Sequence, residues 1–474
     1  MRRKRILGLV LWMVIPVASM AQRLQQPMGR SVVVTYRKTT ERSVTSSGGN
    51  GYLVSWRKLA QEPEGTTYNL YSRTAGATDY KKVNAQPLKQ TNYKPSTVAT
   101  NTEWAVTAVS PEGVEGPMSN PFLYKTQPWS NVWFKFDFDN KVLVRNDYRT
   151  KYVWPMDLDG DGEIDALVCD RLFAGATGGD DAENQSDNTA TTSHKIQAYR
   201  LTGELLWTVD MGPNMNICAG QNDMVVAYDI NCDGRCEVMI KSSDGTRFWD
   251  KEKETWGLYA KGSTVPDVDG DGIVDYRTQG VRNRPFYVSV IDGLTGAEIA
   301  CSELKYDEVH DGSDTYTRNN RADYMSDGYA AMDGHFAIAY LDGVHPSLIM
   351  ECLDRDNNKT HHNYVFTWDY DWSTGTPSNW HHSSTWSRND KRPWPAEFHQ
   401  LRVGDVNGDG YEEMLQGGYS VNPLRNWFCS PGIGHGDRFV VSDIDPDEDP
   451  LSFQVEELSC SLSGERLQTV IWAS

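Results

Sequence analysis

The chain has 474 residues, of which 39% are hydrophobic, 23% charged and 11% aromatic, which is enough apolar material for a sizeable core and excludes wholesale disorder. Its 46 Lys and Arg face 65 Asp and Glu, a net charge of −19. A nucleic acid therefore meets net repulsion and is not expected as a partner, and an anionic ligand needs a local cation or basic patch.

The chain opens Met1-Arg2-Arg3-Lys4-Arg5, then runs apolar from Ile6 to Val17 and reaches the small-residue site Ser19-Met20-Ala21. Basic, apolar and small residues in that order predict a signal peptide over residues 1–21. The mature chain is expected to start at Gln22 and to be exported, either periplasmic or secreted. The apolar run is short for a membrane span, no Cys follows the cleavage site, and no later segment is apolar enough to cross a bilayer, so no membrane partner is expected. Eight Cys between Cys169 and Cys460 permit disulfides in an exported chain and offer no paired C-x-x-C zinc pattern. A clip between Cys232 and Cys236 across one acidic loop is an open reading.

Residues 22–128 read as a fibronectin type III-like β-sandwich. Ser31–Tyr36, Tyr52–Trp56, Thr67–Tyr71 and Glu103–Val109 are strand-like and bounded by Gly, Pro, Asn or Ser, with Trp56 as the expected core aromatic. Pro111 to Pro128 carries four prolines and reads as the connector.

Residues 129–474 are repetitive. One unit is an acidic loop between apolar strands. It appears as Asp157-Leu158-Asp159-Gly160-Asp161-Gly162 closing on Asp165, and as Asp229-Ile230-Asn231-Cys232-Asp233-Gly234 closing on Glu237. It returns as Asp267-Val268-Asp269-Gly270-Asp271-Gly272 closing on Asp275, and as Asp405-Val406-Asn407-Gly408-Asp409-Gly410 closing on Glu413. A partial copy, Asp443-Ile444-Asp445-Pro446-Asp447, lacks the glycine, and Tyr340-Leu341-Asp342-Gly343 lacks the acid set. The second unit is a hairpin around Thr202-Gly203, Thr295-Gly296 or Thr374-Gly375. The two hairpin types tend to alternate, and paired hairpins make four-stranded sheets whose radial repetition is a β-propeller. The expected fold class is all-β.

In D-x-[DN]-x-[DN]-G-x-x-[DE], oxygens at positions 1, 3 and 5 enter one turn, the glycine permits the bend and the ninth residue closes a hard-oxygen shell suited to Ca²⁺. An EF-hand needs Glu at position 12, where this chain has Val168, Ile240, Thr278 and Gln416, so EF-hands are excluded. The expected metal ligands are the acids and amides at positions 1, 3, 5 and 9, together with Asp443, Asp445 and Asp447. Staples of β-turns, without a part in chemistry, are the plainer reading of such loops.

At this point the sequence resembles the polysaccharide lyase family 11 rhamnogalacturonan lyases. The resemblance runs from about Gly29 to Val455. It rests on Arg30-Ser31-Val32-Val33-Val34, Val54-Ser55-Trp56-Arg57, Ala198-Tyr199-Arg200-Leu201 with Leu206-Trp207, and Tyr340 to Ser347. Its most specific stretch is Gly432-Ile433-Gly434-His435-Gly436-Asp437. The resemblance implies a small β domain, an eight-bladed propeller with several Ca²⁺ ions, rhamnogalacturonan I as substrate and cleavage by β-elimination. It singles out His435 and Asp437 as base or metal ligand and His399 as a second catalytic candidate. His335 and Lys359 are weaker candidates, and His361-His362 and His381-His382 read as surface. Trp372, Trp380, Trp386 and Trp394 either stack on sugar rings or pack between sheets.

Two stretches depart from the family pattern. Glu351-Cys352-Leu353-Asp354-Arg355-Asp356-Asn357 fills the segment in which the family carries an Arg-Gly-Tyr-Tyr stretch, which bears on substrate choice and on activity. The chain stops at Ser474 with material for about five sheets, and the expectation is a C-terminally truncated member with an incomplete propeller. A monomer is expected. Non-catalytic carbohydrate-binding or adhesion propellers with structural calcium loops remain the alternative. No GxGxxG, P-loop or G-x-S-x-G is present, so nothing points to a nucleotide site or a serine nucleophile elbow.

Overall fold

Apolar residues that alternate with polar ones, or fill short runs between turn residues, build strands throughout. The computed structural model describes residues 28–37, 51–125, 148–172, 195–201, 204–212, 225–250, 253, 255–263, 286–304, 333–355, 361–390, 397–406, 408–417, 420–421, 427–429, 439–442, 454–457 and 469–471. All the regular elements among the described residues are strands.

The N-terminal region holds β1 (Val33–Arg37), β2 (Gly51–Ser55), β3 (Thr67–Thr74), β4 (Lys81–Lys82), β5 (Asn92–Tyr93), β6 (Thr102–Val109), β7 (Glu115–Met118) and β8 (Phe122–Tyr124). One sheet has the order β1-β2-β5; the other is β4-β3-β6-β7, with β8 also on β6. Val32, Val34, Val54 and Trp56 meet Tyr68, Leu70, Trp104 and Val106 in one core. This is the expected sandwich, with Trp56 inside it. Arg30 holds it further, pairing with Glu62 and lying 5.5 Å from the Tyr68 ring centre.

Five antiparallel sheets follow. The first contains β9 (Tyr148–Met156), β10 (Asp165–Leu172), β11 (Lys195–Arg200) and β12 (Leu205–Asp210). The second contains β13 (Val225–Tyr228) and β14 (Glu237–Ser243), and resumes after an insertion. The insertion is the hairpin β15 (Arg247–Asp250) and β16 (Thr255–Tyr259), and the sheet closes with β17 (Phe286–Asp292) and β18 (Glu298–Glu303). The third is β19 (Asp333–Ala339), β20 (Ser347–Arg355), β21 (His361–Asp371) and β22 (Ser378–Asp390). The fourth is β23 (Glu397–Gly404), β24 (Glu413–Gly417), β25 (Ser420–Val421) and β26 (Trp427–Cys429). The fifth shows β27 (Phe439–Ser442), β28 (Gln454–Glu457) and β29 (Thr469–Ile471).

Within each sheet the strands pair in chain order. The acidic loops join first to second strands, and the Thr-Gly turns join third to fourth. The exception is the inserted hairpin, which leaves the second sheet and extends the first through β12–β15 pairing. The third acidic loop, Asp267 to Asp275, falls between β16 and β17 and so interrupts the alternation; it lies outside the described residues.

Side-chain alternation explains how the sheets stack. Val238 and Ile240 of β14 enter the core shared with the first sheet, while Met239 enters the core shared with the third. In the third sheet Leu348 and Met350 face the second, and Ile349 faces Met414 and Val421 of the fourth. A sheet covered on both faces places apolar residues side by side in sequence, as Val238-Met239-Ile240 of β14 shows. First strands lie beside one another in chain order, β9 by β13, β13 by β19, β19 by β23 and β23 by β27.

Candidate functional site

The first, second and fourth acidic loops share one backbone design. The position-1 carboxylate accepts the position-6 amide: Asp157 from Gly162 at 2.8 Å, Asp229 from Gly234 at 3.0 Å and Asp405 from Gly410 at 2.9 Å. The position-9 carboxylate accepts the position-2 amide: Asp165 from Leu158 at 3.1 Å, Glu237 from Ile230 at 3.1 Å and Glu413 from Val406 at 2.9 Å. Leu158 and Ile230 are fully buried, so the first two turns are anchored in a core, while Val406 is half-buried. The backbone is left-handed at position 4 as well as position 6: Gly160 and Gly162 have φ of 77° and 85°, Cys232 and Gly234 of 59° and 97°, Gly408 and Gly410 of 73° and 91°. Sequence reading identified only position 6.

Ligand oxygens of Asp157, Asp159 and Asp165 lie within 4.8 Å of one another. Carboxylate oxygens alone at that spacing suit a hard divalent cation such as Ca²⁺. Asp161 lies outside this group and accepts the Glu163 amide. Asn231 in the second loop donates its side-chain amide to Glu237 at 2.8 Å. Asp271, Asp269, Asp267 and Asp275, together with Asn407, Asp437, Asp443, Asp445 and Asp447, lie outside the described residues.

Burial, then the charges of Asp161 and Asp159, pushes Asp157 up to about 6. Burial and Asp159 raise Asp165 to about 7. Glu237 rises to about 8 through burial and then Asp233 and Asp229, and Glu413 to about 7, mainly through burial. These loops hold carboxylates at a cost that a bound cation removes. Arg200 partly offsets it, placing its guanidinium 2.7 Å from Asp159.

Neighbouring loops touch. The Cys236 amide donates to the Asp157 carbonyl at 3.2 Å. The Tyr228 and Tyr340 hydroxyls are 2.8 Å apart, and the Tyr340 amide donates to Glu412 at 2.8 Å. The sandwich docks on the first loop: Gly29 donates to the Gly162 carbonyl, Asn120 to the Asp161 carbonyl at 2.5 Å, and the Ser31 hydroxyl accepts the Ile164 amide at 3.0 Å. Cys232 and Cys236 carry free thiols, so no clip spans the second loop. Cys236 faces the core between the first two sheets while Cys232 sits at the turn.

The third sheet departs from the pattern. Tyr340 takes position 1 and Ser347 pairs with Ala339 where a closing acid stands elsewhere. Asp342 instead accepts the amides of Val344 and His345, and its Oδ2 lies 2.7 Å from His345 Nδ1. Burial alone would raise the Asp342 carboxyl, but His345 and those amides outweigh it and hold it below the ordinary range. The His345 ring stacks on Trp372 at 4.3 Å. Beside this pair a cleft of about 250 Å³ opens between the third and fourth sheets.

His399 and His335 stand toward the opposite edge. His399 is the third residue of β23, whose last residue precedes the fourth loop, so His399 and Asp405 are about 20 Å apart along the strand; the His399 side chain is outside the described set. His335 is buried near the start of β19, opposite buried Glu351. His435, Lys359 and Trp394 lie outside the described residues. Trp380 is in the core, whereas Trp372 and Trp386 line the cleft. His382 is not a free surface group: it packs 5.4 Å from Trp368 and 5.9 Å from Phe366.

The model of "Rhamnogalacturonan lyase family 11, C-terminal domain" matches residues 139–470, and that of "Rhamnogalacturonan I lyases beta-sheet domain" matches residues 39–122. The chain belongs to rhamnogalacturonan lyase family 11. Membership places it among the polysaccharide lyases. Rhamnogalacturonan endolyase YesW of Bacillus subtilis (strain 168) is 29% identical over 96% of this chain and 67% of its own length. Rhamnogalacturonan exolyase YesX of the same organism is 28% identical over 86% of this chain and 60% of its own. The chain thus spans about two thirds or less of these relatives. The crystal structure of YesW superposes with a TM-score of 0.62 at 24% identity, covering 94% of this chain and 67% of that one. Bacillus licheniformis rhamnogalacturonan lyase PL11 gives 0.62 and 24%, over 92% and 66%. These likenesses support the all-β fold.

Against the family pattern, two features escaped sequence reading. Arg200 belongs to a family-like stretch, yet its pairing with Asp159 spans 41 residues. Lys195 and Asp210 form a buried ion pair of 2.7 Å at the edge opposite the loops, and Arg247 lies 3.8 Å from the same carboxylate. Arg247 of the inserted hairpin thereby ties that hairpin to the first sheet, and no local motif announces the cluster.

Proposed function

We propose that the chain is a calcium-dependent rhamnogalacturonan lyase that cleaves the rhamnose–galacturonate backbone of pectin by β-elimination. The observation that carries this reading is the family match across residues 139–470, the region bearing the acidic loops and the Gly-His-Gly-Asp stretch. A side-chain base removes the proton on C5 of the uronate, the C5–H electron pair forms the C4=C5 double bond, and the C4–O pair leaves on the rhamnosyl oxygen, which takes up a proton as the new reducing end. A divalent cation bound near the uronate carboxylate would supply charge withdrawal that acidifies the C5 proton.

His435 and His399 are the proposed proton acceptors, because a neutral imidazole is available near neutral pH. Asp437 beside His435 is a proposed metal ligand. The loops at Asp157, Asp229, Asp267, Asp405 and Asp443 are proposed as calcium staples of the scaffold; the separation of His399 from Asp405 supports keeping them apart from the chemistry. The five sheets with adjacent first strands support a propeller built on residues 129–474, preceded by the sandwich of 22–128 and a signal peptide of 1–21. An exported monomer is part of this reading.

The test is a lyase assay of the purified chain on rhamnogalacturonan I, with Ca²⁺ or EDTA, following ultraviolet absorbance of the unsaturated uronate. Absorbance that rises with Ca²⁺ and stops with EDTA is expected. A folded, calcium-bound protein that yields no absorbance would overturn the lyase reading. The Glu351 to Asn357 segment, in which the family carries an Arg-Gly-Tyr-Tyr stretch, is the observation that favours a binding module in that event.

A further inference from the structure

The cleft between the third and fourth sheets opens at the acidic-loop edge, away from His399. Its floor is apolar, with Ile349, Val365 and Met414; Trp372 forms a wall; Asp342 and Asp369 supply carboxylates. None of the described lining residues is Lys or Arg. The His345 ring is stacked on Trp372 and bonded to Asp342, so wall and rim are fixed before any ligand arrives.

A sugar ring matches this division. Its C–H faces pack on aromatic and aliphatic surface while its hydroxyls donate to carboxylates. At about 250 Å³ the cleft is smaller than the ~300–1,000 Å³ usual for drug-sized ligands, which limits it to about one ring. Asp342, already bonded to His345, and Asp369 face the cleft with no Lys or Arg among the described lining residues, and this disfavours a uronate. We propose that this cleft is a binding subsite for a single neutral hexose or 6-deoxyhexose ring, separate from the edge that carries His399.

Binding without turnover tests this, so the result is independent of whether the chain is a lyase. Methyl rhamnoside, methyl galactoside and methyl galacturonide are titrated into the calcium-loaded full chain by ligand-observed NMR and calorimetry. At least one neutral glycoside is expected to bind saturably and the galacturonide at least tenfold more weakly. Trp372→Ala is expected to weaken neutral binding tenfold or more with unchanged near-ultraviolet circular dichroism. Should that variant misfold, Asp369→Lys is expected to narrow or reverse the preference by admitting the galacturonide. No saturable neutral binding, a galacturonide bound as tightly as the neutral glycosides, or neutral binding that survives in a folded Trp372→Ala would overturn the proposal. So would an Asp369→Lys chain with unchanged preference.

Discussion

The first and third sheets solve the same turn in different ways. In the first, Asp157, Asp159 and Asp165 crowd their oxygens within 4.8 Å, and burial with mutual repulsion lifts Asp157 to about 6 and Asp165 to about 7. In the third, Tyr340 replaces the leading acid, and the single Asp342 is met by the ring and amide of its neighbour His345. One hairpin needs an external counter-charge and the other contains its own partner. Chelation is therefore expected to act on the first turn and to spare the third.

Chelation gives the largest expected contrast. Each filled loop is expected to lose about 2.7 kcal/mol of stability when Ca²⁺ is taken from a hundredfold excess over its dissociation constant to zero. Thermal melts with Ca²⁺ and EDTA measure this. Asp157→Ala should shrink the gap between the two melts, while Asp342→Ala should lower both melts and leave the gap unchanged. An Asp342→Ala chain that lost its calcium response would erase the distinction.

Acidification sharpens the same comparison. The raised carboxyls hold more protons folded than unfolded between about pH 4 and their folded values near 6 to 8. Without cation, stability therefore falls as pH rises through that window. Calcium binding needs the ionised forms, so affinity should fall as pH drops from about 8 toward 6. Isothermal titration at several pH values, beside EDTA melts over the same range, should give slopes of opposite sign. Equal slopes would show that these carboxylates do not bind the ion.

Smaller effects test the turn itself. Gly160 has φ 77°, and a Cβ there would meet the Arg235 stem; Gly160→Ala is expected to cost about 1–3 kcal/mol. Cys232 holds the equivalent place at φ 59° with a side chain that disfavours it. Cys232→Gly is thus expected to be close to neutral or to stabilise, by up to about 1 kcal/mol, with denaturant midpoints as the readout. A clear loss in Cys232→Gly would mean that packing outweighs backbone strain there.

What could be read from sequence followed the range of each interaction. The acidic loops were legible because their oxygens lie within nine consecutive residues, and the strands of the sandwich because alternation is local. The left-handed position 4 was not, because Gly160, Cys232 and Gly408 share no side-chain chemistry. The inserted hairpin was invisible because it pairs backward onto β12, a contact that no local pattern encodes. The cleft needed residues of two sheets, and the sequence offered only tryptophans with two possible uses.

Arg200 supplies the smallest effect and the finest division between the two turns. Its guanidinium lies 2.7 Å from Asp159 and 2.8 Å from Glu204, while its side chain is 35% exposed, so solvent screens much of the attraction. Arg200→Met should cost no more than about 1 kcal/mol in EDTA. The cation then has one fewer positive neighbour, so calcium affinity should stay level or rise. If Arg200 instead positions Asp159 as a ligand, affinity should fall and Arg200→Lys should restore part of it. Calcium titrations of the three chains separate charge from positioning, because only positioning lets a lysine rescue the loss.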